Sequence, residues 1–193
     1  MADLLGYYRR NSNCRAEDLS MVLYGSEHRL RYLKEIWARV ENDSGFDKSH
    51  RVHLNHSDRY IDACRKIKRF TEIVDHYKNH YKKTHLELDE LYDIYMAIDE
   101  NLPIDVHLSM FIPLVKYHTS PSQKERWLDD AMNFRIIGAY AQTEMAHGSN
   151  IRGLETVAVY DNELQEFDLH SPTLSSCKWW PGGLGHTANM AGM

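Results

Sequence analysis

Residues 140–155, YAQTEMAHGSNIRGLE, concentrate chemically useful groups in one short span. Thr143 and Ser149 bring hydroxyls, Glu144 a carboxylate, Arg152 a guanidinium and Gly148 a flexible turn, all just after a short apolar run that ends at Tyr140 and Ala141. A loop at the end of a strand is where a rigid sheet offers groups to a ligand. The same residues also make a polar turn between two strands, and spacing alone does not choose between the readings. Further on, GLGHTA at 183–188 has the GxGxxA spacing of a dinucleotide-binding turn. That fingerprint needs a buried parallel strand before it and a helix after it. Here Pro181 precedes it and eight residues follow Gly185, so the context argues against a Rossmann site. The glycines do let the backbone come close to a flat or phosphorylated group.

Twelve histidines raise the question of metal. His76 and His80 stand four apart, as zinc ligands on one helical face would, but Tyr77 occupies the position where the metalloprotease motif carries its glutamate. His50, His53 and His56 recur every third residue in a stretch read as loop. Neither group has the cysteine or carboxylate pattern that would complete a ligand set, so no metal site is expected and these histidines read as solvated or capping. Cys14, Cys64 and Cys177 form no CxxC, which argues against a disulfide framework and fits a reducing compartment.

The elements that must position these groups change character along the chain. Up to about residue 133 the spacing is helical. Leu30, Leu33, Trp37 and Val40 mark one stripe, with Ser26 as N-cap. Tyr60, Ala63, Cys64, Ile67, Phe70, Val74 and Tyr77 mark a second, begun by Ser57, with Arg59, Lys66, Lys68 and Glu72 pointing away. Leu88, Leu91, Tyr92 and Tyr95 mark a third. A fourth helix, from about residue 105 to 117, contains Pro113 and should kink or break there. Ser120, Pro121 and Gln123 form a capping box for a fifth, with Trp127, Leu128 and Met132 on its buried side.

After Asn133 the texture becomes strand: an apolar run at 136–141, a β-branched run at 156–160, a turn at 161–164, and alternation over 166–170, which together predict a hairpin. Residues 177–180 read as a further strand. Helices first and antiparallel strands later make an α+β order, with a helical domain at 1–133 and the start of a β-domain at 134–193. Four short strands without a closing partner make an incomplete sheet, which suggests a fragment or a covering partner.

The chain has 193 residues, with 23 Lys and Arg against 28 Asp and Glu, giving a formal net charge of −5. That balance argues against a nucleic-acid or anionic-lipid grip. No apolar run approaches the ~18 residues of a membrane span, and no secretory signal is visible, so a soluble intracellular protein is expected.

The combination of YAQTEMAHGSNIRGLET, the hairpin YDNELQEFDLHSPT and KWWPGGLG closely resembles the peroxisomal acyl-CoA oxidases, flavoproteins related to the acyl-CoA dehydrogenases. The resemblance covers most of the chain. It implies an N-terminal helical domain, a middle β-domain and C-terminal helical domains, with FAD between the β-domain and the helices. By that resemblance Tyr140, Ala141, Gln142 and Thr143 are the strand end that bonds the isoalloxazine, Gly148 and Ser149 the neighbouring turn, and Gly182 another flavin contact. A flat ring with a polar edge calls for backbone donors, a hydroxyl and a closely approaching glycine, and one of Trp179 and Trp180 would add an apolar wall.

The implied reaction converts a fatty acyl-CoA into the trans-2-enoyl-CoA with oxygen reduced to hydrogen peroxide, in a homodimer or a heterodimer with a related oxidase. The general base is implied to be a glutamate in the C-terminal helical region, outside this chain; Glu144 belongs to the flavin side, so no catalytic residue is assigned and the chain alone is expected to be inactive. Alternatives are a dehydrogenase that uses a protein electron acceptor, and a non-catalytic chain that binds or regulates a full-length oxidase. Ala146, Ser149 and His186 depart from the glycine, threonine and lysine usual in the family. A peroxisomal location is implied by kinship, since the sequence ends Ala191, Gly192, Met193 rather than in a targeting tripeptide.

Overall fold

The computed structural model describes residues 3–193. Two short helices, α1 (Leu4–Arg10) and α2 (Ala16–Tyr24), bury no side chain. The core begins with α3 (Glu27–Glu41), where Ser26 accepts a hydrogen bond from the Arg29 N–H as the spacing predicted, and Leu30, Leu33, Ile36 and Val40 are buried. The long α4 (His56–His80) packs Ile67, Phe70, Ile73, Val74 and Tyr77 into the same core. Its cap is Asn55, whose side chain accepts from the Asp58 N–H, so the helix starts ahead of the expected Ser57. Helix α5 (Leu88–Ile98) lays Leu91, Ile94 and Ile98 against α3 and α4.

Lys66 does not point away from the core. It lies on the apolar face of α4 and is fully buried, its ammonium 2.9 Å from Asp62 and 2.7 Å from Glu100. Arg51 meets Glu100 at 3.3 Å and His50 meets Asp62 at 3.3 Å, so each of the two carboxylates that hold the buried cation has a second partner of its own. Burial alone would lower the Lys66 pKa; hydrogen bonds to the two carboxylates outweigh this and raise it. A buried charge is tolerated when it is paired with opposite charges in this way.

The helix is not broken at Pro113; it widens just ahead of the proline. A π-turn, His107–Phe111, runs into α6 (Ile112–His118). Proline has no N–H for the preceding turn, and the wider turn absorbs the mismatch. Helix α7 (Pro121–Met132) has the capping box read from the sequence, with Ser120 and Gln123 bonding reciprocally.

The strands are short. β2 (Val157–Asp161) and β3 (Glu166–His170) form the antiparallel hairpin, with Gln165 in the left-handed region at φ 57°. β1 (Gly138–Tyr140), however, pairs in parallel with β4 (Met190–Gly192), a departure from the antiparallel order expected throughout. Residues 177–180 form no strand. Lys178 makes a single antiparallel bridge to Glu144, and Trp180, at φ 41°, turns the backbone out of extended geometry before Pro181. β1 lies tight on the helical layer. A Cβ at Gly138 would fall 2.0 Å from the Phe111 ring, and one at Gly192 would fall 2.2 Å from Leu114.

Candidate functional site

His107 fixes where β1 begins. Its Nδ1 accepts from the Gly138 N–H at 3.0 Å and its Nε2 lies 3.0 Å from the Ala131 carbonyl. An acceptor role at Nδ1 and a carbonyl at Nε2 define the neutral imidazole with its proton on Nε2. Burial pushes its pKa down to about 4, against a smaller opposing effect of the Ala131 bond. One side chain therefore ties the π-turn, the end of α7 and the start of β1 together.

β1 ends in the bend that the sequence singled out. Tyr140 is half-buried and stands in register with Gly192, and the buried Ala141 donates its N–H to the Gly192 carbonyl at 2.7 Å. The next peptides are held by residues 175–179. Lys178 Nζ donates to the Gln142 carbonyl at 3.2 Å, the Trp179 N–H to the Thr143 carbonyl at 2.9 Å, and the Met145 N–H to the Cys177 carbonyl at 3.0 Å. Among the described residues, neither the Gln142 and Thr143 N–H groups nor the Thr143 hydroxyl bonds to the chain. The strand end thus offers two backbone donors and a hydroxyl from a half-buried, anchored segment.

Glu144 is the anchor. Its side chain is buried, and it accepts from the Glu155 N–H at 2.8 Å, the Thr156 N–H at 2.9 Å and Lys178 Nζ at 3.2 Å. Burial disfavours its charge, but the bonds from Thr156, Glu155 and Lys178 prevail and bring the carboxyl to about 2. A carboxylate so saturated is a weak proton acceptor. Glu155 beside it takes bonds from Ser175 at 2.7 Å, His147 at 2.8 Å and Thr173 at 2.8 Å, which lower its pKa and close the polar seam between the bend and residues 173–178.

The other expected site residues are placed unequally. From Trp179, bonded to Thr143, the chain runs back along β1 to Gly182, which shares a cavity of about 220 Å³ with Asp105, Val106, His107 and Gly138. A Cβ at Gly182 would meet Val106 Cγ2 at 2.9 Å, so a side chain there would have to displace Val106. Gly148 and Ser149 are exposed and, among the described residues, make no hydrogen bond to Tyr140, Thr143 or Gly182. Trp179 and Trp180 are both exposed, the latter at 77%. His76 and His80 lie exposed with rings stacked 6.5 Å apart, while His50 takes part in the Lys66 network.

Three groups escaped the sequence reading. Lys66 was legible in principle, because position 66 falls inside the stripe marked by Ala63, Ile67 and Phe70. His107 and Lys178 carry no comparable signal, since their roles depend on pairing with residues far away in sequence.

A helical layer followed by short strands, with an anchored strand end beside it, defines an α+β protein. Residues 15–137 match the family described as acyl-coenzyme A oxidase, N-terminal. Human peroxisomal acyl-coenzyme A oxidase 1 is 40% identical over 190 residues, which cover 95% of this chain and 27% of the human protein. The crystal structure of an acyl-CoA oxidase from tomato superposes with a TM-score of 0.83 at 36% identity, over 98% of this chain and 28% of the tomato chain. Acyl-CoA oxidase-2 of Caenorhabditis elegans, solved bound with FAD, ascaroside-CoA and ATP, gives a TM-score of 0.79 at 36% identity, over 97% of this chain and 28% of its own. The chain belongs to the acyl-CoA oxidase family and corresponds to its N-terminal portion. It spans about a quarter of the length of the relatives it matches. By resemblance to relatives named as peroxisomal in human and Arabidopsis, it is assigned to the peroxisome.

Proposed function

We propose that this chain is the N-terminal part of an FAD-dependent acyl-CoA oxidase of fatty-acid β-oxidation, contributing the helical layer and one edge of the flavin site. The observation that carries the cofactor reading is the strand end: the Gln142 and Thr143 N–H groups and the Thr143 hydroxyl are unspent on a segment whose carbonyls are already bonded. Such donors fit the polar edge of an isoalloxazine, and the C. elegans relative solved with FAD supports the choice of ligand. Tyr140 and Ala141 set the depth of that edge, Gly148 and Ser149 form the adjoining turn, and Gly182 lets the backbone pass close to the helical layer.

What FAD supplies when bound is a hydride acceptor that oxygen reoxidises, so that acyl-CoA becomes trans-2-enoyl-CoA and oxygen becomes hydrogen peroxide. This chain's part is to orient and to exclude water. Glu144 is held ionised by three donors and is spent on structure, and the family resemblance implies that the proton abstraction falls to a carboxylate outside these residues. The chain by itself therefore binds without turning over. In the test, a chain extended through the full length of its relatives carries a 450 nm flavin band and releases hydrogen peroxide from a long-chain acyl-CoA, whereas these 193 residues release none. Peroxide release by the short chain at a comparable rate refutes the division of labour, and reduction of an artificial acceptor without oxygen consumption points to a dehydrogenase instead.

A second reading, a non-catalytic chain that pairs with an intact oxidase subunit, is favoured by the exposed apolar side chains of the hairpin, among them Val159, Tyr160, Phe167 and Leu169. Size-exclusion chromatography with and without an intact subunit distinguishes it: a co-eluting complex supports it, and a monomer unaffected by the subunit removes it. The same experiment tests the homodimer or heterodimer expected of the family.

A further inference from the structure

The bend after Ala141 owes its direction to a side chain that the flavin reading gives no role. Lys178 is largely buried and makes two contacts, 3.2 Å to the Gln142 carbonyl and 3.2 Å to Glu144 Oε1. In a trans peptide the C=O and the following N–H point in opposite directions, and the described residues contain no cis bond. A Gln142 carbonyl held on the ammonium therefore directs the Thr143 N–H away from Lys178. The neighbouring peptide is locked independently, with the Thr143 carbonyl on the Trp179 N–H and the Glu144 N–H on the His147 carbonyl. Of this run, only the Gln142–Thr143 peptide depends on a side chain for its orientation.

We propose that Lys178, itself held by Glu144, is a positioning residue that fixes the Gln142–Thr143 peptide so that the Thr143 N–H is presented to the bound flavin. The inference rests on the flavin reading for its ligand, but the orientation of the peptide stands apart from it. In this role Lys178 acts through the peptide it holds. Its charge strengthens the bond to the carbonyl, and Glu144 removes the freedom of the long side chain. Lysine loss should therefore loosen one peptide and leave the helical core intact.

The test uses this chain with Lys178→Met, Lys178→Arg and Glu144→Gln. Backbone ¹⁵N order parameters at Gln142 and Thr143 should sit near the rigid value of about 0.85 in the native chain and fall below about 0.6 in K178M. K178R, which keeps a donor for the carbonyl, should stay near the native value, and residues of α4 and α5 should not change in any variant. In parallel, FAD itself is titrated against each protein by quenching of flavin fluorescence, with an expected weakening of about tenfold in K178M and recovery in K178R. Unchanged order parameters at Thr143 in K178M overturn the positioning role, as does unchanged FAD affinity where the native chain binds measurably. A native chain that does not bind FAD counts against the flavin reading alone, and the order parameters still decide the role of Lys178. Should K178M not fold, E144Q is read by the same two measurements, since it removes the charge that holds the ammonium.

Discussion

His107 should make the stability of this protein fall as pH drops from about 8 to 5, by an amount set by its burial. The imidazole is enclosed by the rings of Phe111 and Phe134 and bonded at both nitrogens, and burial takes its pKa down to about 4. In an unfolded chain the same group titrates near 6.5. As pH falls through that value the unfolded state takes up a proton that the folded state refuses, so stability is complete above about 6.5 and is lost progressively down to about 4. Each unit of separation is worth ~1.4 kcal/mol, so the loss at pH 5 is about 2 kcal/mol and the full loss about 3 kcal/mol. Glu144 acts in the same direction but in a lower window: its stability is present above its ordinary carboxylate value and is lost only as pH falls towards about 2, so it adds little between pH 5 and 8. Urea unfolding of the native chain and of His107→Gln at pH 8 and pH 5 isolates the effect. The variant keeps a donor and an acceptor but cannot titrate, and the native chain should lose about 2 kcal/mol more than it does over that interval. Parallel pH dependences would mean that His107 is not held neutral between β1 and α7.

Three further outcomes follow from the packing. Lys66→Met leaves Asp62 and Glu100 as buried carboxylates with only His50 and Arg51 for company, and should cost roughly 3–5 kcal/mol in denaturant unfolding; a cost under 1 kcal/mol would mean that the network is solvated. Gly138→Ala drives a methyl into the Phe111 ring and should cost about 1–3 kcal/mol, partly recovered in the double variant with Phe111→Leu. An absence of coupling between the two sites would show that β1 does not rest on that ring. Ser120→Ala removes the α7 cap and should cost about 1 kcal/mol by thermal unfolding, and no change there would show that the capping box is idle.

The helices were legible because their buried faces repeat every three to four residues and their starts carry capping chemistry that acts locally. Ser26, Ser120 with Gln123, and the disruption at Pro113 are all decided within one turn of chain. Lys66 was misread because a helical stripe marks position but not compensation: its burial depends on Glu100, thirty-four residues away, which no local pattern displays. The hairpin was legible from alternation and its turn. The parallel pairing of β1 with β4 was not, since three-residue strands carry no usable period and their contacts bridge about fifty residues. For the site, residue types and the family motif marked the bend and the glycines, but not the direction of each peptide. That direction depends on Lys178, and the depth of the strand depends on His107.

In the proposed site the strand end after Ala141 and the stretch from Trp179 to Gly182 form one face that receives a flavin. Amide chemical-shift mapping during an FAD titration of this chain tests it most directly. The account predicts shifts concentrated at Gln142, Thr143 and Gly182, with α1 and α2 unaffected. Shifts confined to residues remote from β1, or none at FAD concentrations that saturate the extended chain, would contradict it.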